Sequence, residues 1–156
     1  MAETYRAAII GTHGISNTHA GYYKKHPRVE LVAGADINEE NLNTWCDAQE
    51  VESRYLDVAQ MLAEVQPDIV SVCTWNSTHP ELSVQAAEAG VKAVISEKPM
   101  GEDYGAPADA VARLPELGCY FVVHHQTRFS SGYNAAKQLI AEGAIGSPGT
   151  AHWTSS

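Results

Sequence analysis

The sequence has 156 residues, 44% hydrophobic and 19% charged, a composition that fits one globular domain, or one domain and part of a second, and excludes a disordered chain. Ten Lys and Arg against nineteen Asp and Glu leave a formal charge of −9, which argues against nucleic acid and against an anionic membrane surface, since both are bound by basic side chains. No apolar run approaches the ~18 residues of a membrane helix, the first residues show no signal-peptide pattern, and Cys46, Cys73 and Cys119, with no CxxC pair, read as free thiols of a reducing cytoplasm.

In chain order, Tyr5–Ile10 reads as a strand stopped by Gly11, and 14–26 as a helix closed by Pro27. Val29–Ala35 is a second strand ending in Asp36. Asn38 caps a polar helix through about Ala48, with Glu39 and Glu40 in its first turn, where the helix dipole favours acids. Ser53–Tyr55 is a short strand, and Asp57 caps a helix that carries Val58, Met61, Leu62 and Val65 at helical spacing. A buried strand follows over 69–74. Thr78, with Glu81 three residues on, has the spacing of a capping box for a helix ending at Gly90. Residues 92–96 form a strand, 106–117 a helix whose last turn Pro115 disturbs, 119–124 a strand and 132–142 a last helix. Thr150–Ser155 looks like the start of one more strand. Apolar strands alternating with helices predict an α/β fold, a doubly wound parallel sheet covered on both faces.

Ligands of such a sheet bind beyond the carboxyl ends of its strands. After the first strand comes Gly11-Thr12-His13-Gly14-Ile15-Ser16. Gly11 fits the tight turn of a dinucleotide fingerprint, and Ser16 is small enough for close helix–strand packing. His13 stands where the second glycine would let the backbone approach a pyrophosphate, and Gly14 beside it restores some freedom. Asp36, 25 residues after Gly11, reads either as an acceptor for the ribose hydroxyls of an adenosine or as an ordinary helix-preceding acid. As a ribose acceptor it favours NAD, because a 2′-phosphate would meet its charge. Lys98 lies at a strand's carboxyl end, where a dehydrogenase needs a cation or proton donor. It reads equally as a surface lysine paired with Glu97, and His79 as a hydrogen bond at a helix entry.

Further matches are Thr74-x-Asn76-x-x-His79, Ala89-Gly90, Glu97-Lys98-Pro99-Met100, Arg128-Phe129 and Gly143-x-Ile145-Gly146. With Gly11 through His19 and Asp36, their order and spacing cover nearly the whole chain. On these residues the chain resembles the N-terminal half of the glucose–fructose oxidoreductase and inositol dehydrogenase family (Gfo/Idh/MocA). The resemblance implies a Rossmann domain over 1–125 that binds NAD, with NADP as the alternative. It implies hydride transfer to or from a sugar, cyclitol or related polyol. By position it places Gly11, Thr12, His13, Gly14 and Ile15 along the pyrophosphate turn and Asp36 at the adenosine ribose. It places Thr74, Trp75, Asn76 and His79 on the nicotinamide side, and Glu97 and Lys98 at the nicotinamide ribose and substrate. Lys98 becomes the catalytic residue, and Gln126 and Arg128 lie near the domain junction.

Three features depart from the family pattern. His13 replaces the second glycine, Trp75 stands where a proline is usual, and no Asp-x-x-x-His motif follows Gly146. Residues 126–156 are therefore expected to be a linker helix and the first strand of a substrate domain that these residues do not complete. The exposed edge of that strand is expected to drive self-association. The alternative is a dinucleotide-binding or regulatory module without turnover. A third reading gathers His13, His79, His124 and His125 into a zinc-type site. The family pattern already accounts for His79, so no metal is assigned.

Overall fold

The computed structural model describes residues 4–152, in two compact units that divide between 124 and 125. The first unit is a six-stranded parallel sheet built from β1 (Tyr5–Ile10), β2 (Val29–Ala35), β3 (Ser53–Tyr55), β4 (Ile69–Val72), β5 (Ala93–Ser96) and β6 (Tyr120–Val123). The strand order is β3-β2-β1-β4-β5-β6. The chain thus runs outward from β1 to one edge, returns, and builds the other half from β4. The crevice between β1 and β4 is the topological switch point.

The pleat explains how both faces fill. Ala7 and Ile9 of β1 point to one side, where Ala20 and Tyr23 of α1 (Ser16–Lys25) and Leu42, Trp45 and Cys46 of α2 (Glu39–Gln49) close over them. Ala8 and Ile10 point to the other side. There they meet Met61, Leu62 and Val65 of α3 (Val58–Val65), Ala86 and Ala87 of α4 (His79–Glu88), and Ala110 and Leu114 of α5 (Gly105–Glu116). The doubly wound parallel sheet expected from the alternation of strands and helices is therefore present, with helices on both faces.

Local chemistry sets most boundaries. Asn38 Oδ1 accepts from Asn41 N at 2.9 Å and Asp57 Oδ1 from Gln60 N at 2.7 Å, so both caps act as expected. Thr78 does not cap α4. Its hydroxyl donates to Trp75 O at 2.8 Å and lies 2.7 Å from Thr74 Oγ1, because a 3₁₀ turn over Asn76–Thr78 precedes the helix and turns that side chain back into the loop. β4 stops at Val72, two residues before the expected end, and Cys73 N still reaches Ile10 O at 2.7 Å.

The second unit holds a 3₁₀ turn at Gln126–Phe129 and α6 (Ser131–Ala141), capped by Ser130 Oγ, which accepts from Tyr133 N at 3.4 Å. The strand expected over Thr150–Ser155 is not formed across 150–152, which are irregular. A lone extended segment has no ladder to join. Its remaining residues, Trp153 to Ser155, lie outside the described residues.

Leu114 is wholly buried, whereas Leu139 of the second unit is half exposed. Leu114→Ala is expected to lower the unfolding free energy by about 3 kcal/mol. Leu139→Ala should lower it by less than about 0.5 kcal/mol, both read as shifts of the urea midpoint.

Candidate functional site

The chain leaves β1 through Gly11, whose φ is +86° and whose N–H donates to Ala35 O at 2.8 Å. A Cβ there would meet Cys73 C at 2.7 Å and Cys73 O and Thr74 N at 2.8 Å, so only glycine fits against the end of β4. Thr12 is buried. Its N–H donates to Asp36 Oδ2 at 2.7 Å and its hydroxyl to the same oxygen at 3.1 Å, while Asp36 Oδ1 accepts from Asn38 N at 2.9 Å. Asp36 therefore braces the glycine turn against the end of β2.

Between these loops lies a cleft of about 540 Å³. Of the residues singled out in the sequence, Gly11, His13, Asp36, Thr74 and Trp75 line it. Gly14, at φ +55°, has open space on its Cβ side and takes up the left-handed turn beside His13. The two departures from the family pattern are neighbours: the His13 and Trp75 rings lie 6.3 Å apart at 53°, both exposed. Ile15 packs instead with the core cluster beneath α1.

A second polar constellation lies under the ends of β4, β5 and β6, and its hydrogens can be assigned from donors and acceptors alone. Glu97, only 4% exposed, places Oε1 3.0 Å from His19 Nε2 and against His124 Nδ1, and its Oε2 accepts from Lys98 N at 3.2 Å. His19 Nδ1 lies 2.9 Å from Ser71 Oγ, itself 2.6 Å from Tyr23 OH. Burial works to raise the Glu97 pKa, but hydrogen bonds from His124, His19 and Lys98 N outweigh it and hold the group below its ordinary 4.5, as a carboxylate. Burial lowers His19 below 6.5, against the hydrogen bond to Glu97, which works to raise it. Burial pushes Tyr23 up to about 12. The chain is then consistent from end to end: Tyr23 O–H donates to Ser71, Ser71 O–H to His19 Nδ1, and His19 Nε2–H to Glu97.

His79 is also buried, with Nδ1 2.6 Å from Pro99 O and Nε2 3.0 Å from Thr74 O. His79 and Glu97, expected on the nicotinamide side, are thus both buried, and each is hydrogen-bonded to groups of the protein. Asn76 stands on the 3₁₀ turn after β4, and Lys98 is exposed beyond β5. Gln126 and Arg128 lie on the 3₁₀ turn of the second unit.

The zinc-type grouping of His13, His79, His124 and His125 does not form. His79 is taken by carbonyls, His13 faces Trp75, and His125 belongs to the second unit. Among the described residues the group with ligand atoms close enough for a cation is His19, Glu97 and His124, within 4.8 Å of one another, and here each imidazole hydrogen-bonds the carboxylate. His19 was singled out in the sequence only as part of a motif. Its place on the buried stripe of Ser16, His19, Ala20 and Tyr23 was the available signal.

The chain matches the model of the oxidoreductase family with an NAD-binding Rossmann fold over residues 5–125. It is 31% identical over 146 residues to D-apiose dehydrogenase of Paraburkholderia graminis, covering 94% of this chain and 39% of that protein. It is 27% identical over 143 residues to myo-inositol 2-dehydrogenase of Thermotoga maritima, covering 92% and 42%. Among solved structures it is similar to the WlbA dehydrogenase of Bordetella pertussis in complex with NADH and UDP-GlcNAcA, at TM-score 0.86 and 29% identity over 92% of this chain and 44% of that one. Scyllo-inositol dehydrogenase of Lactobacillus casei with bound NAD(H) and scyllo-inositol gives TM-score 0.81 and 26% identity, over 92% and 43%. The chain thus spans 39–42% of the length of these two curated relatives.

Both buried groups work against acid. The unfolded chain takes up the His19 proton first, so stability falls as the pH drops below 6.5. The contribution of Glu97 is complete above 4.5 and is lost as the pH falls through its depressed folded value. The melting temperature is expected to decline on acidification from 6.5, and Glu97→Gln to be less stable at neutral pH with a shallower decline below 4.5, both read by thermal unfolding across pH.

Proposed function

This chain belongs to the oxidoreductase family with an NAD-binding Rossmann fold, and from that premise we propose that it is the cofactor-binding part of a dehydrogenase acting on a sugar, cyclitol or related polyol. The observation that carries the choice of NAD is Asp36. Its Oδ1 accepts one hydrogen bond and keeps a lone pair for a ribose hydroxyl. Its charge opposes a 2′-phosphate, and among the described residues no Lys or Arg lines the cleft to offset that opposition.

The other residues present fit the same group. Gly11 keeps the backbone bare at the switch point, Gly14 leaves open space beside it, and the first turn of α1 lies just beyond. When bound, NAD supplies the hydride acceptor or donor. The chain's own residues hold it: the glycine turn at the pyrophosphate, Asp36 at the ribose, and Thr74, Trp75 and Asn76 along the loop after β4. Lys98 is assigned to the reacting end, and Gln126 and Arg128 to the cofactor, by resemblance to the family. The substrate class rests on the relatives, whose names give apiose and inositols as what they act on.

Residues 126–156 are assigned, again by resemblance, as the connection toward a substrate-holding domain. A reducing, cytoplasmic setting is supported by three free, buried cysteines whose thiols burial pushes up, Cys46 to about 11. Self-association is proposed through Phe129, Leu139, Ile140 and Ile145, exposed apolar side chains of the second unit, and no longer through a tail strand. Sedimentation velocity is expected to show concentration-dependent association that Ile140→Lys reduces.

Titration should show saturable binding of NAD and NADH, with NADP at least about tenfold weaker. Asp36→Ala is expected to weaken NAD by about tenfold and to leave NADP unchanged or improved. Equal loss of both would remove the ribose role of Asp36, and no binding of any of the four dinucleotides would remove the cofactor reading.

A further inference from the structure

Lys98 is exposed, yet the residues on either side of it are fastened to the protein interior. On one side, both oxygens of the Glu97 carboxylate are engaged, Oε1 by His19 and His124 and Oε2 by the N–H of Lys98 itself. On the other side, Pro99 O is held by His79 Nδ1 at 2.6 Å, and the same ring reaches Thr74 O at 3.0 Å. Three of the seven histidines are thus spent on the three-residue segment 97–99.

The topology says which end of a ligand this segment faces. Asp36 follows β2 on one side of the switch point, and Lys98 follows β5 on the other. A dinucleotide with its adenosine ribose at Asp36 lays its second half toward β5.

We propose that His19, Glu97, His124 and His79 are positioning residues that hold Lys98 at the nicotinamide end of the cofactor cleft. This rests on the NAD reading above. Each acts through the segment 97–99: His19 and His124 through the Glu97 carboxylate, Glu97 through the N–H of Lys98, and His79 through Pro99 O. A lysine on a loose loop loses backbone as well as side-chain freedom when it engages a ligand. Anchoring the residues on both sides removes the backbone part before binding. The tether at Glu97 also spans elements, since His19 comes from α1, Glu97 from the end of β5 and His124 from the end of β6. His79 adds the loop after β4, so the loop carrying Thr74 and the loop carrying Lys98 are held by one ring.

The test compares NADH with ADP-ribose, which lacks the nicotinamide half. Lys98→Met in the full chain is expected to weaken NADH by about tenfold or more and to leave ADP-ribose within about twofold. Glu97→Gln and His79→Gln are expected to show the same split, although neither removes the lysine. Weakening both ligands equally, as a merely structural role would, overturns the proposal. So does unchanged NADH affinity in Glu97→Gln and His79→Gln, or the absence of a split in Lys98→Met. If the Glu97 and His79 variants fail to fold, ring-nitrogen NMR of the unaltered protein decides. His19 should carry its hydrogen on Nε2, facing Glu97, with Nδ1 accepting from Ser71. A His19 hydrogen on Nδ1, or a metal bound by His19, Glu97 and His124 in elemental analysis of protein purified without chelator, overturns it. Failure of the unaltered protein to bind either ligand defeats the NAD reading itself, and is seen before any variant is made.

Discussion

The close approach at Gly11 is the constraint on which the site depends. β1 and β4 lie side by side, and the chain must leave the first strand across the end of the second, so close that a Cβ would meet backbone at 2.7 Å. With glycine there, the turn passes over β4 and reaches the start of α1, and the crevice between the two halves of the sheet stays open. The brace from Asp36 to Thr12 is the second half of the same device, because it ties the turn to the end of β2 through two hydrogen bonds to one charged oxygen. A single acid thereby shapes the cleft and faces into it.

The other half of the rim is organised by burial of polar groups. A carboxylate removed from water is costly unless its lone pairs are met. Glu97 meets that requirement with two imidazoles and a backbone N–H, and the chain of hydroxyls behind His19 satisfies the far nitrogen in turn. The arrangement is not an exposed ion pair. It is a hydrogen-bonded block of the interior that happens to end at Lys98. The same logic applies to the cysteines: burial raises the thiols of Cys46, Cys73 and Cys119, which keeps them protonated and removes them from nucleophilic chemistry.

Much of the fold was legible because it is written in local rules. The six strands, the caps Asn38 and Asp57 and the tight turn at Gly11 follow from apolar runs, cap chemistry and glycine. Thr78 shows where local rules stop. Its spacing to Glu81 is that of a capping box, yet the 3₁₀ turn before α4 gives its hydroxyl a nearer partner in the loop. The tail segment shows the same limit, since a strand exists only with a neighbour and 150–152 have none among the described residues.

The sequence by itself determined the alternating sheet, the family resemblance, and the placement of Gly11, Asp36 and Lys98 just beyond strand ends. Each of these depends on near neighbours along the chain or on residue order. Only the tertiary structure decided which polar groups face outward and which face inward. His19 lies 78 positions from Glu97, and His79 lies 20 from Pro99. Such pairs are fixed by how helices pack on the sheet, and no periodicity of one segment encodes the partner supplied by another. For that reason His13, His79 and His124, which in sequence resemble ligands scattered along a rim, resolve in three dimensions into an exposed neighbour of Trp75 and two anchors of the segment 97–99.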